Sequence, residues 1–260
     1  MTDLELALEL ADLADLISLD RYLASDLVVE SKPDLTPVSD ADKAVENEIR
    51  LQLAKVAADD GIIGEEFESS SSTNNREWIL DPIDGTKNFI RGVPVWATLI
   101  ALRVNGVITV GVVSSPALGR RWYASAAAGA FVIETVGGSK KVRRLAVSKV
   151  SKVSDASFAH SEIVKKDILD GDYDNFLKLS NDVWRTRGFG DFWSYMLVAE
   201  GAVDFAIEPK LALWDMAALS VIVTEAGGSF TNLAGIAGVI GPGAIASNGL
   251  LHKELVSRFS

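Results

Sequence analysis

Two apolar runs, residues 93–104 and 107–114, are separated only by the dipeptide Asn105-Gly106. Asn-Gly is the preferred centre of a tight hairpin turn, because both residues tolerate positive φ and the turn's twist matches that of paired strands. The chain must therefore build an antiparallel pair here. Short apolar segments at 121–123, 130–134 and 141–147 extend the pattern, with Gly137-Gly138 as a further turn. A mostly antiparallel sheet follows for the first half of the chain.

Helices flank that sheet in sequence. Residues 3–30 carry Leu4, Leu8, Leu10, Leu13, Leu16, Ile17, Leu23 and Leu27 among acids, the periodicity of a long amphipathic helix. A loop with Pro33 and Pro37 ends it. Ser39 is placed to cap a second helix, with Asp42 completing a partial capping box. Its buried face is Val45, Ile49, Leu51, Leu53 and Val56, and Gly61 stops it. Residues 62–66 read as a short strand running out into Glu65 and Glu66, and the polar stretch 69–75 as a connector, with a lid as the alternative.

Past Ser154 the pattern changes. Strands at 156–159, 203–207, near Phe230 and at 244–246 alternate with helices at 173–179, 191–200, from Leu213 to Gly227-Gly228, and from Leu250. Such alternation predicts an α/β half. The chain divides into an N-terminal α+β half, 1–150, and a C-terminal α/β half, 151–260.

Composition narrows the chemistry. The 260 residues include no cysteine and only two histidines, His160 and His252. Thiolate chemistry is excluded, and a zinc site is poorly supplied. A bound metal should be a hard ion held by oxygen. His252 reads as a solvated surface residue and His160 as a core or pocket-edge residue. The net charge of −11 argues against nucleic acid as partner. No run is long and apolar enough for a membrane span, and the acidic first residues do not resemble a leader. A cytoplasmic protein is expected.

The chemistry concentrates in Trp78-Ile79-Leu80-Asp81-Pro82-Ile83-Asp84-Gly85-Thr86-Lys87-Asn88-Phe89. The apolar start reads as a buried strand, Pro82 as its stop, and Asp84-Gly85-Thr86 as a helix start. Two carboxylates thus sit where free backbone N–H groups point outward. Carboxylates bind hard cations and N–H groups bind phosphate oxygens, although Asp-Pro and Asp-Gly are also ordinary turn chemistry. Glu65 and Asp215 likewise stand at the margins of apolar elements, and Asp215 is equally placed to cap the helix it opens.

Together with Gly64-Glu65-Glu66, Trp214-Asp215-Met216-Ala217-Ala218, Glu225-Ala226-Gly227-Gly228 and the weaker Lys32-Pro33-Asp34 to Pro37-Val38-Ser39-Asp40, this stretch resembles the inositol monophosphatase superfamily over nearly the whole chain. The resemblance implies a layered αβαβα sandwich, usually a homodimer, hydrolysing small phosphate monoesters. It implies that Glu65, Asp81, the Ile83 carbonyl, Asp84 and Asp215 ligate two or three Mg2+ ions, with Mn2+ as a substitute and Asp81 as a bridge. Gly85 and Thr86 would hold phosphate oxygens, beside Asp84 and Asp215. Thr86, hydrogen-bonded to Asp40, would orient and deprotonate the attacking water, with Glu65 as a further catalytic group. Direct attack by water also suits a chain with no cysteine, whose histidines lie far from the motif in sequence.

The segment from Arg187 to Tyr195 bears on the alcohol. Its Gly190-Asp191-Phe192-Trp193 resembles the histidinol-phosphate phosphatase branch of the superfamily. Asp191, with Glu208, would favour a substrate ammonium; the aromatics would support an imidazole; Arg187 would touch phosphate or a neighbouring acid. The alternative is that Asp191 only caps the helix it begins, while Phe192 and Trp193 are core. An inositol-1-phosphate or broad sugar phosphatase is the alternative, and a non-catalytic metal or ligand sensor is a third reading.

Overall fold

A computed structural model describes residues 1–161 and 170–259. Helix α1 (Asp3–Arg21) opens with a capping box in which Thr2 and Glu5 exchange hydrogen bonds. It is shorter than the leucine periodicity predicts. Tyr22 is extended, Leu23 adopts φ 65°, and the Tyr22 hydroxyl donates to the Gly92 carbonyl over 2.6 Å. Leu27 thereby packs near Phe89 and Trp96 instead of continuing the helix. The proline loop is framed by a small ribbon, β1 (Val29–Ser31) and β2 (Pro37–Ser39), which leads into α2 (Asp40–Val56).

The larger sheet takes seven strands in sequence order: β3 (Gly61–Gly64), β4 (Arg76–Asp84), β5 (Ala97–Val104), β6 (Val107–Ser115), β7 (Arg120–Ser125), β8 (Gly129–Val136) and β9 (Ser139–Arg144). All pairings are antiparallel except β3 with β4. The β5–β6 hairpin turns as expected, with Asn105 at φ 49° and Gly106 at φ 82°. The stretch 69–75 is a tied-down connector. Ser70 pairs with Ile62, Thr73 bonds to Asp59, and Asn74 bonds to Asp60.

A second sheet runs β11 (Arg185–Gly188), β10 (Ser157–His160), β12 (Phe205–Glu208), β14 (Ala244–Ser247) and β13 (Ser229–Thr231) in spatial order. Sequence patterning missed β11, whose Arg-Thr-Arg-Gly lacks an apolar face; register with β10 makes it a strand. The remaining helices are α3 (Thr86–Ile90), α4 (Asp170–Asp182), α5 (Asp191–Ala199), α6 (Leu213–Glu225) and α7 (His252–Ser257).

Three apolar cores set the layers. Leu10 and Ile49 of α1 and α2 pack on Trp78, Leu80 and Val112 of the large sheet. Met196 of α5 and Ile222 of α6 lie between Ile79, Leu99 and Val113 on one side and Phe230 and Ala246 on the other. Phe176 of α4 and Leu255 of α7 cover Phe158 and Phe205 on the far side. The order is α-β-α-β-α, with each fully buried large side chain contributing roughly 1.5–3 kcal/mol. Helix α6 crosses the sheet at Gly111, where a Cβ would run into Ala218 and Val221. No helix among the described residues is long and apolar enough to cross a membrane.

His252 departs from its expected solvated place. It is half-buried, with Nδ1 2.9 Å from the Ser247 hydroxyl and Nε2 3.0 Å from the Thr231 hydroxyl, so the start of α7 is tied to β13 and β14. His160 meets Phe158 at a tilt and Phe176 edge-on.

Candidate metal and phosphate site

Strand β4 aims the acids. Side chains alternate along a strand, so Trp78 and Leu80 face α1 and α2 while Ile79 faces α5 and α6. Asp81 continues on the Ile79 face. The strand does not stop at Pro82, as the proline predicts, but runs to Asp84. Strand β3 ends its pairing at Leu80, so the missing N–H of Pro82 costs no ladder bond to it. Between Asp81 and Asp84 the register with β5 slips, so that three steps on β4 match two on β5. The extra residue turns Asp84 to the same side as Asp81.

Helix α6 supplies the third acid. Asp215 accepts the Ala212 N–H at 2.7 Å, so it does cap its helix. It also faces β4: the carboxylate oxygens of Asp81, Asp84 and Asp215 lie within 4.8 Å of one another. Asp81 Oδ1 is buried with no donor. All three carboxyls are pushed above the usual range, first by loss of hydration and then by each other's charge and that of Glu65 or Asp191, Asp215 to about 6. Three crowded acids, one with an orphaned oxygen, fit an oxygen-ligated cation.

Glu65 stands beside this triad, close enough for its charge to act on Asp81 and Asp215. Its carboxylate is paired with Lys32 Nζ at 2.7 Å, and the same ammonium holds Glu66 at 2.7 Å. The strand end that carries Glu65 is fixed from below by Glu46. That buried carboxylate accepts the Glu66 N–H at 2.8 Å and pairs with Arg50. It lies against Gly64, where any Cβ would collide with it.

The turn after Asp84 is Gly85 at φ 84°, a left-handed position, and α3 begins at Thr86. With one turn of helix, α3 offers amide donors more than a macrodipole. The Thr86 hydroxyl lies 2.9 Å from the Ile83 carbonyl and 3.1 Å from Asp42 Oδ1. The expected partner, Asp40, is elsewhere: it pairs with Arg21 at 2.7 Å. Both acids open α2, but Asp42 is the N3 residue, folded back onto Ser39 and towards the site, and burial pushes its carboxyl up. Its capping spacing concealed a second contact, since Oδ2 serves the cap while Oδ1 meets Thr86.

The segment expected to bear on the alcohol meets the triad at the start of α5. Phe192 N–H donates to Asp84 Oδ2 at 2.7 Å. Asp191, at φ 44°, donates its N–H to Ser161 Oγ at 2.6 Å, and Ser161 donates to Glu208 Oε1 at 2.9 Å. Glu208 ends β12; burial, with Asp191 and Asp215 adding, pushes it up to about 8. The buried Tyr195 phenol faces it. Asp191, Glu208, Asp84 and Asp215 thus form one acidic wall. Arg187 sits in the exposed strand β11, donating to the Thr186 carbonyl at 2.7 Å. Phe192 is core, and Trp193 is partly buried against it.

The profile of the inositol monophosphatase family matches residues 3–259, and the chain belongs to that family. It is 52% identical to a histidinol-phosphatase of Mycobacterium tuberculosis over 99% of this chain and 98% of the relative. It is 54% identical to a histidinol-phosphatase of Streptomyces coelicolor, over 98% and 96%. Among solved structures it is similar to an IMPase of Thermotoga maritima, at TM-score 0.85 and 29% identity, covering 100% of this chain and 97% of that one.

Proposed function

We propose that this protein is a metal-dependent phosphomonoesterase that hydrolyses L-histidinol phosphate to L-histidinol and phosphate, a step of histidine biosynthesis in the cytoplasm. The acidic wall beside the triad carries this reading. Its second carboxylate pair, Asp191 and Glu208, stands close enough for its charge to act on Asp84 and, across the wall, Asp215, and we assign it to the alcohol side of a bound ester. An uncharged alcohol gives such a pair nothing to neutralise, whereas an aminoalcohol places an ammonium there. The names of the relatives above 50% identity point the same way.

Glu65, Asp81, Asp84, Asp215 and the Ile83 carbonyl would hold two or three Mg2+ ions, or Mn2+. Bound magnesium supplies positive charge to the phosphate oxygens and acidifies coordinated water. The Gly85 and Thr86 N–H groups would hold phosphate oxygens, with Asp84 and Asp215 fixing the neighbouring geometry. Thr86 Oγ1 accepts a proton from the attacking water while giving its own towards Asp42, a buried carboxyl whose raised basicity suits that task. Arg187, on the exposed strand β11, would meet phosphate or a neighbouring acid, and Glu65 would orient the attacking water. We read the working unit as a homodimer.

The test is phosphate release from L-histidinol phosphate and from myo-inositol 1-phosphate in Mg2+. The proposal expects kcat/KM to favour the first by about 100-fold or more, near 2.7 kcal/mol of discrimination. Equal values would move the assignment to the broad-specificity alternative.

A further inference from the structure

Asn88 lies on the single turn of α3, one residue before a core phenylalanine, and nothing in the reaction itself requires an amide there. Its Nδ2 nonetheless makes two contacts. It donates to the Val95 carbonyl at 2.9 Å and to Asp191 Oδ2 at 3.0 Å. These are the two donors an amide nitrogen possesses. The opposite amide orientation would set its oxygen against a carbonyl and a carboxylate, so the side chain has one workable pose. Gly85 completes the enclosure: a Cβ there would stand 2.9 Å from Val95 O and 3.1 Å from Asp191 Oδ2. Those same two oxygens are the ones the amide holds.

Asp191 is otherwise an awkward residue to keep in place. Its φ of 44° costs an L-residue energy, and its backbone is held by the Ser161 hydroxyl and the adjoining Phe192–Asp84 contact. Asp84 and Glu208 stand close enough for their charges to oppose its own. A carboxylate has about four acceptor sites, so fixing one oxygen sets the carboxylate plane without exhausting it. We infer that Asn88 is a specificity-determining positioning residue. Its amide clamps the Asp191 carboxylate against repulsion, in the pose that receives a substrate ammonium. Asn88 does not touch the ester and acts only through Asp191. The inference rests on the proposed function, since it assumes a cationic alcohol.

The experiment measures kcat and KM of Asn88→Ala, Asp191→Asn and the double variant on L-histidinol phosphate and on the uncharged ester glycerol 2-phosphate. Asn88→Ala is expected to raise KM for L-histidinol phosphate about tenfold, the worth of one charge-assisted hydrogen bond, with kcat and the glycerol ester little changed. In the double variant the losses should not add, because both remove one interaction. An equal KM rise on both esters, or additive losses, would overturn the inference. Asn88→Ser, which is too short to bridge the two oxygens, is read by the same criteria should the alanine variant fold poorly. If the wild-type protein does not hydrolyse L-histidinol phosphate, the proposed function fails first. If it does and the KM split is absent, only the role of Asn88 fails.

Discussion

The backbone N–H of Phe192 donates to Asp84 Oδ2 across 2.7 Å, joining the first turn of α5 to an acid on β4. The segment we propose to select the alcohol is therefore built directly onto the candidate metal site. Changes on either side of that bond should be felt on the other.

Asp84→Asn tests the charge account of the triad. Without metal, removing one of several mutually repelling carboxylates should raise the melting temperature, by roughly 2–4 °C for each kcal/mol relieved. The rise that Mg2+ produces in the wild type should shrink, and phosphate release should fall by about two orders of magnitude or more. Scanning calorimetry with and without Mg2+ measures the first two. A metal-induced shift equal to wild type would remove Asp84 from the ligand set.

Asp42→Asn and Asp40→Asn separate the two acids that open α2. Asparagine at 42 keeps an oxygen for the Ser39 N–H and Asp40 takes no part in the capping box, so stability should change by less than about 1 kcal/mol. Activity should part sharply. Loss of the Asp42 carboxylate beside Thr86 should cost about 100-fold in kcat with KM little moved, while Asp40→Asn breaks only the Arg21 pair. Comparable kcat values for the two variants would contradict the contact seen here.

That pair also shows what the sequence could and could not convey. The Asn-Gly hairpin was legible from turn chemistry alone, whereas the layered architecture and the shared role of the acids at 81, 84 and 215 were legible through the family resemblance that the motifs carry. Asp42 was visible only as a helix cap. Its second contact, with Thr86, depends on how α2 sits over β4, which no spacing encodes. The continuation of β4 through Pro82 depends on where β3 stops, and the end of α1 on the Tyr22–Gly92 bond; both are tertiary facts. Ser161 gave no signal, and Lys32 and Asn88 stood only as members of family-matching segments, since each acquires its contact from a partner distant in the chain or on another element.

Gly64→Ala should be disproportionately harmful for so small a change. The new methyl meets the Glu46 carboxylate, which is buried and holds both Arg50 and the Glu66 N–H. A loss of about 1–3 kcal/mol is expected, with weaker Mg2+ binding because Glu65 is the next residue. Denaturant melts and a Mg2+ titration of activity check the two effects. Unchanged Mg2+ dependence would free Glu65 from this support.

His252 predicts part of the pH dependence of stability. Burial lowers its folded pKa below the unfolded value of about 6.5. Its contribution is therefore fully present above that value and is lost as pH falls through it towards the folded pKa. Raised carboxyls such as Glu208 act in the opposite sense, favouring the fold as pH falls through about 8, so the informative quantity is a difference. Between about pH 7.5 and 5, wild type should lose more stability than His252→Asn. Parallel pH profiles from urea melts would show that the imidazole is not desolvated.

The central claim is that Asp191 and Glu208 beside the triad select a cationic alcohol. The most direct measurement is the ratio of kcat/KM for L-histidinol phosphate to that for glycerol 2-phosphate, in wild type and in Asp191→Asn. The account predicts that the variant's ratio collapses by about tenfold or more, through KM for the charged ester alone. A ratio that survives the substitution, with both esters losing equally, would contradict it.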